Sequence, residues 1–168
     1  MKIYLLEARQ LIPGTRAAVF KFFQDPANLA RITPPSLGFS ILTPAPIPMH
    51  AGSVIDYTIQ MAGLSLRWTT VIAEYDPPFK FADVQIRGPY SFWHHTHTFE
   101  EAPDGTMMTD SVRYALPFGP LGRLVNNLLV RKQVAGIFEY RKKAVDLLFS
   151  ETPGSEMPSL AGMRKGRS

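Results

Sequence analysis

Three of the chain's four histidines crowd into one short stretch, Ser91-Phe92-Trp93-His94-His95-Thr96-His97-Thr98-Phe99-Glu100. Read as a strand, alternation sends Trp93, His95, His97 and Phe99 to one face, and Phe92, His94, Thr96, Thr98 and Glu100 to the other. The first set has the bulkier apolar flanks and is expected to face the interior. The next stretch folds back across Ala102-Pro103-Asp104-Gly105. If Glu101 opposes Thr106, then His97 opposes Asp110, His95 opposes Val112 and Trp93 opposes Tyr114. A slip of one residue would turn every one of these side chains to the other face. On the other flank, a three-residue Gly88-Pro89-Tyr90 turn sets Gln85 opposite Trp93 and Asp83 opposite His95. Asp83, Gln85, His95, His97 and Asp110 then share one wall.

A carboxylate beside a histidine fixes the tautomer of the ring and raises its basicity. His97 with Asp110 is therefore the candidate general-base pair. The same pair could instead orient a carbonyl or hydroxyl of a bound molecule, or be a buried pair satisfied by itself. Zinc is a further option: His95 and His97 project from the same face and Asp110 could complete a three-residue set. No fourth ligand accompanies them and the aromatic flanks suit an organic guest, so no metal is assigned. Tyr57, Trp68, Trp93, Tyr114 and Phe138 are the aromatic candidates for a pocket wall. Arg67 and Arg113 alternate out of phase with Trp68 and Tyr114 and are expected in solvent. His50 falls in the loop 46–52 and is read as a surface residue, with Ile47 and Met49 as conceivable lid residues.

The composition limits the alternatives. The chain has 168 residues, is 45% hydrophobic and 19% charged, and contains no cysteine. That suits one folded domain and excludes disulfides, cysteine metal sites and a cysteine nucleophile. No run approaches the roughly 18 apolar residues of a membrane span, and Glu7 arrives too early for a signal-peptide core. These features are read as cytoplasmic. The net charge is +4. Residues 120–149 carry Arg123, Arg131, Lys132, Arg141, Lys142 and Lys143 against only Glu139 and Asp146. This is read as a solvated helix face, with docking on a membrane or protein partner as another reading. No nucleic-acid motif accompanies it. A phosphate loop and a Gly-x-Ser-x-Gly elbow are also absent, and no cofactor is called for.

The elements that must hold the wall can be read from periodicity. Residues 2–11 suit a strand stopped by Pro13-Gly14. Thr15 can cap a helix running to Phe23, and Asp25-Pro26 begins a second short helix ended by Thr33-Pro34-Pro35. The period then changes to two over 39–43, 53–61, 64–75, 80–87, 91–101 and 106–116. The links between these are short turns, which force antiparallel neighbours. After Pro117-Phe118-Gly119-Pro120, Leu121, Leu124, Leu128, Ala135, Phe138, Val145 and Phe149 recur at helical spacing, widened by Val125, Leu129, Ile137 and Leu148. Residues 150–168 lose all periodicity and are expected to form a flexible basic tail on a domain of 1–149. One helix cannot fill seven strands, so a cavity is expected between them.

This order resembles the START-like or SRPBCC superfamily (helix-grip, birch-pollen-allergen-like), and within it the bacterial polyketide cyclase/dehydrase and lipid-transport branch. The resemblance is carried by Val19-Phe20-Lys21-Phe22-Phe23, Asp25-Pro26-Ala27-Asn28-Leu29, Ile32-Thr33-Pro34-Pro35, Gly88 to His95, Thr106 to Asp110 and Leu116 to Gly122. It implies an α+β helix-grip fold: a seven-stranded curved antiparallel sheet wrapped around a long C-terminal helix, with two short helices between strands 1 and 2. It also implies a hydrophobic cavity holding a small molecule of lipid, polyketide or aromatic type, for a carrier or sensor. The alternative is a cyclase or dehydratase that uses His97 and Asp110. Fold alone does not choose between them. A homodimer is compatible with either.

Overall fold

The computed structural model describes residues 1–61 and 63–150. Seven strands form one sheet: β1 (Tyr4–Ile12), β2 (Ser40–Ile41), β3 (Val54–Met61), β4 (Leu64–Asp76), β5 (Lys80–Arg87), β6 (Phe92–Ala102) and β7 (Gly105–Ala115). Their spatial order is β1-β7-β6-β5-β4-β3-β2, and every neighbouring pair is antiparallel. The chain's first strand thus pairs with its last, and the rest is a meander. Two register shifts between β4 and β5, at Thr69/Thr70 and Ile72/Glu74, are the kind of irregularity that bends a strand and curves a sheet.

Between β1 and β2 lies helix α1 (Arg16–Gln24), whose first turn is capped by the Thr15 hydroxyl accepting from the Ala18 N–H at 3.3 Å. Its Val19, Phe20, Phe22 and Phe23 are buried. The second expected helix, Pro26–Ile32, is wound as a tighter 3-10 helix, with Asp25 accepting from the Ala27 N–H at 3.0 Å. A further 3-10 turn, Pro35–Leu37, ends at Gly38 with φ of 48°. These turns shorten β2 to two residues where a strand over 39–43 was expected.

The C-terminal helix runs through α2 (Gly119–Val125), a π turn (Asn126–Val130) and α3 (Arg131–Ser150). It corrects the expected apolar stripe. Gly122, Asn126, Val130, Val134, Phe138, Val145 and Phe149 are the buried positions, whereas Leu121, Leu124, Leu128 and Ala135 are exposed. A π turn inserts an extra residue into the helical repeat, so the stripe before it and the stripe after it face different ways. Tyr114 on β7 fixes the junction by donating its hydroxyl to Asn126 Oδ1 at 3.0 Å. Of the expected tail, everything beyond Ser150 lies outside the described residues.

Candidate functional site

The pairing of β6 with β7 places His97 opposite Asp110, His95 opposite Val112 and Trp93 opposite Tyr114. On the other flank β5 sets Asp83 opposite His95. Alternation does the rest: His95 and His97 are buried on the inner face. Asp110 lies between the rings. Its Oδ1 is 2.5 Å from His97 Nδ1 and 3.2 Å from His95 Nε2, and its Oδ2 is 3.6 Å from an Arg141 guanidinium nitrogen. Asp83 faces His95 from the other side, with 3.6 Å between Oδ2 and Nδ1, and accepts from the Thr70 hydroxyl at 2.9 Å.

Burial and neighbours set the charge states. Burial, helped by the adjacent His95, lowers His97 to about 4 against the opposing pull of Asp110. His97 is therefore neutral near pH 7. Burial would raise Asp110, but His97, His95 and Arg141 together outweigh it and hold the carboxyl well below the usual range. An ionised carboxylate only accepts, so the close approach of Asp110 favours the His97 tautomer with its proton on Nδ1. Burial, with Asp83 nearby, raises the Tyr57 hydroxyl well above its ordinary value, so Tyr57 stays a donor.

Beside this cluster is a cavity of about 150 Å³. Tyr57, Trp68, Asp83, Trp93, His95, His97 and Phe138 line it, together with apolar side chains from every side. Three expected wall residues do not. Asp110 stands behind the two histidines and Arg141 and is linked to the cavity through them. Tyr114 is turned to Asn126. Gln85 is used by the turn that follows its strand: its amide donates to the Tyr90 carbonyl at 2.7 Å and its carbonyl accepts from the Tyr90 N–H at 3.3 Å. Met49 lines the cavity and Ile47 does not. Arg67, Arg113 and His50 are exposed.

Sequence reasoning missed Arg141, read there as part of a solvated face. It lines the cavity and is largely buried, and its Nε lacks a partner. The signal was present in its spacing: Arg141 lies three residues after Phe138 and four before Val145, on the inward stripe. Trp68 Nε1 is likewise buried without a partner on the cavity wall.

A metal could be offered Asp83, His95 and His97, whose donor atoms lie within 4.8 Å of one another. Asp83 thus replaces Asp110 in the set expected from sequence. Donors about 2.1 Å from a tetrahedral ion lie about 3.4 Å apart, and the Asp83–His95 pair, at 3.6 Å, is near that spacing.

A curved antiparallel sheet gripping a helix, with a lined cavity between them, defines a helix-grip cavity protein. The chain belongs to the polyketide cyclase / dehydrase and lipid transport family, whose model matches residues 5–146. Solved structures agree on the fold. Protein CV1439 from Chromobacterium violaceum is 13% identical at a TM-score of 0.67, over 87% of this chain and 97% of that one. Ara h 8.0201 is 20% identical at 0.59, over 86% and 98%. The di-domain ARO/CYC StfQ from the steffimycin biosynthetic pathway is 11% identical at 0.66, over 89% of this chain and 51% of StfQ. No curated protein matches the chain in sequence. Among the described residues no helix is long and apolar enough to cross a membrane.

Proposed function

We propose that the protein binds a small, largely apolar molecule in this cavity, as a carrier or sensor. Asp83, His95, His97 and Arg141 orient the polar end of the guest. The observation that carries this reading is the arrangement of the wall: rings and aliphatic chains over most of it, and one connected polar cluster at β5, β6 and α3. Such a wall holds an amphipathic guest in one direction. Its size narrows the class, since about 150 Å³ is the space that accommodates one benzene-sized ring. A single-ring aromatic or a slim chain fits as the walls stand, and a fused polyketide needs them to part.

The state of His97 favours orientation over proton abstraction. An effective general base sits near the operating pH, and burial holds His97 at about 4. Native mass spectrometry of the full chain purified from its own host, with denaturing extraction of any guest, tests the reading. A stoichiometric apolar or aromatic guest is expected. Consistent absence of a guest, together with failure of apolar ring compounds to change the fluorescence of Trp68 and Trp93, would overturn it. Turnover lost in His97→Ala with the fold intact would favour the enzyme instead.

A further inference from the structure

The outward face of the first part of the C-terminal helix is unusually apolar. Phe118 is 79% exposed, Leu121 61%, Leu124 55%, Leu128 61% and Leu129 66%. Isolated exposed leucines are ordinary, but a contiguous ridge of them marks an interaction surface. Phe118 is also the only non-glycine residue among those described with a positive φ, at 66°. A bulky side chain is costly in that conformation, yet here it presents an aromatic ring to solvent at the start of the ridge.

The charge around the ridge has one sign. No acidic residue occurs between Asp110 and Glu139, while Arg123, Arg131 and Lys132 do, all three exposed. A cleft of about 430 Å³ opens beside the start of α2, and Lys2 and Arg123 are its charged lining residues. Apolar ridge, terminal aromatic and flanking cations are the features of a helix that lies in the interface of an anionic bilayer. A second copy of the chain fits less well. A two-fold interface would bring the same cations of both copies together with no acid in the segment to pair them.

We infer that the face formed by Phe118, Leu121, Leu124 and Leu128 docks the protein on a bilayer containing anionic phospholipid, with Arg123 and Lys132 contacting the headgroups. This does not depend on what the cavity binds. Flotation of the full chain with phosphatidylcholine vesicles, with and without phosphatidylglycerol, tests it. Binding is expected only to the mixed vesicles and weakens as salt screens the charges. Leu124→Glu with Leu128→Glu, and separately Arg123→Glu with Lys132→Glu, each lower the affinity at least about tenfold. These positions are exposed, so circular dichroism and melting stay as in the parent.

Phe118→Gly separates docking from folding. Glycine accepts the left-handed backbone, so the melting midpoint holds or rises while vesicle binding falls. The basic residues beyond 150 are unchanged in every variant. Vesicle binding that persists in the leucine variant therefore overturns the inference, as does failure of the parent to bind mixed vesicles at low salt. A parent dimer that fails to bind vesicles and falls to monomers in the leucine variant would assign the face to self-association and overturn it as well.

Discussion

Phe20, Phe22, Phe23, Phe81, Phe99 and Phe149 close one end of the interior around α1, with only Phe23 and Phe81 of them reaching the cavity, whereas Tyr57, Trp68, Tyr90, Trp93 and Phe138 at the other end all line it. In the first group Phe22 meets two rings edge to face, Phe23 at 5.2 Å and 82° and Phe149 at 5.3 Å and 81°. Such contacts fill volume on all sides. In the second group Tyr57 stacks on Trp68 at 5.8 Å and 16° and Trp93 meets Trp68 edge to face at 5.2 Å and 87°, and these rings leave one side for a guest. His97 marks the border, stacked on Phe81 at 4.3 Å and 4.0 Å from the His95 ring. The closed end supplies stability that the open end gives up, so a residue's cost on removal should depend on which end it occupies.

The largest effect is therefore expected at the closed end. Phe22→Ala leaves a void among rings and a helix and should cost about 3–5 kcal/mol, read from the denaturant midpoint at unchanged slope. Phe138→Ala removes the same atoms from the cavity wall, where one side of the ring already lacks neighbours. Its cost should be nearer about 1–3 kcal/mol. Equal costs would break the comparison. Phe138→Ala should also admit a larger guest, which a series of ring compounds of increasing size would reveal in tryptophan fluorescence.

The border should be sensitive to acid, in two separate windows. His97 is depressed in the fold to about 4 from an ordinary 6.5, so the unfolded chain binds the proton first. The stability this gives is full above pH 6.5 and drains away as the pH falls to 4, on the order of 3 kcal/mol. Asp110 is also depressed, so its contribution is present above about pH 4 and is lost only below that. Stability against pH for the parent and for His97→Asn checks this: the variant should lose the slope between 6.5 and 4 and show a smaller fall below, because Asp110 loses one of the partners that hold it low. A variant as acid-sensitive as the parent in the upper window would show that His97 does not set it.

These contrasts also show what the sequence could convey. The register of β6 on β7 was legible because Pro103-Asp104 leaves room for one tight turn, and because Trp93, His95, His97 and Phe99 alternate with smaller or more polar residues. The antiparallel meander followed from short links. Arg141 was illegible because charge suggests solvent, although its spacing placed it inward between Phe138 and Val145. The outward leucines were illegible for a different reason. Nothing in Val125-Asn126-Asn127-Leu128 announces a π turn, and one extra residue in the repeat turns an inward stripe outward. Gln85 alternated onto the correct face, but its amide found backbone partners closer than the cavity.

That competition for Gln85 gives the smallest and most specific effect. Its amide holds the Gly88-Pro89-Tyr90 turn by two hydrogen bonds, and Gly88 is packed so close to the Gln85 side chain that any Cβ there would collide with it. The turn in turn positions Tyr90, 5.5 Å from Trp68 and 4.8 Å from Trp93. Gln85→Ala should cost about 1–2 kcal/mol, the net value of two such bonds, much less than Phe22→Ala. Its effect on the open end should be disproportionate, because a loosened Tyr90 disturbs both tryptophans and the guest they contact. Gln85→Glu keeps the acceptor for the Tyr90 N–H but sets a carboxylate oxygen against the Tyr90 carbonyl, so it should cost at least as much as Gln85→Ala in stability and in guest affinity. A Gln85→Ala protein with unchanged guest affinity would show that the wall is set by the strands alone, and that the open end is as rigid as the closed one.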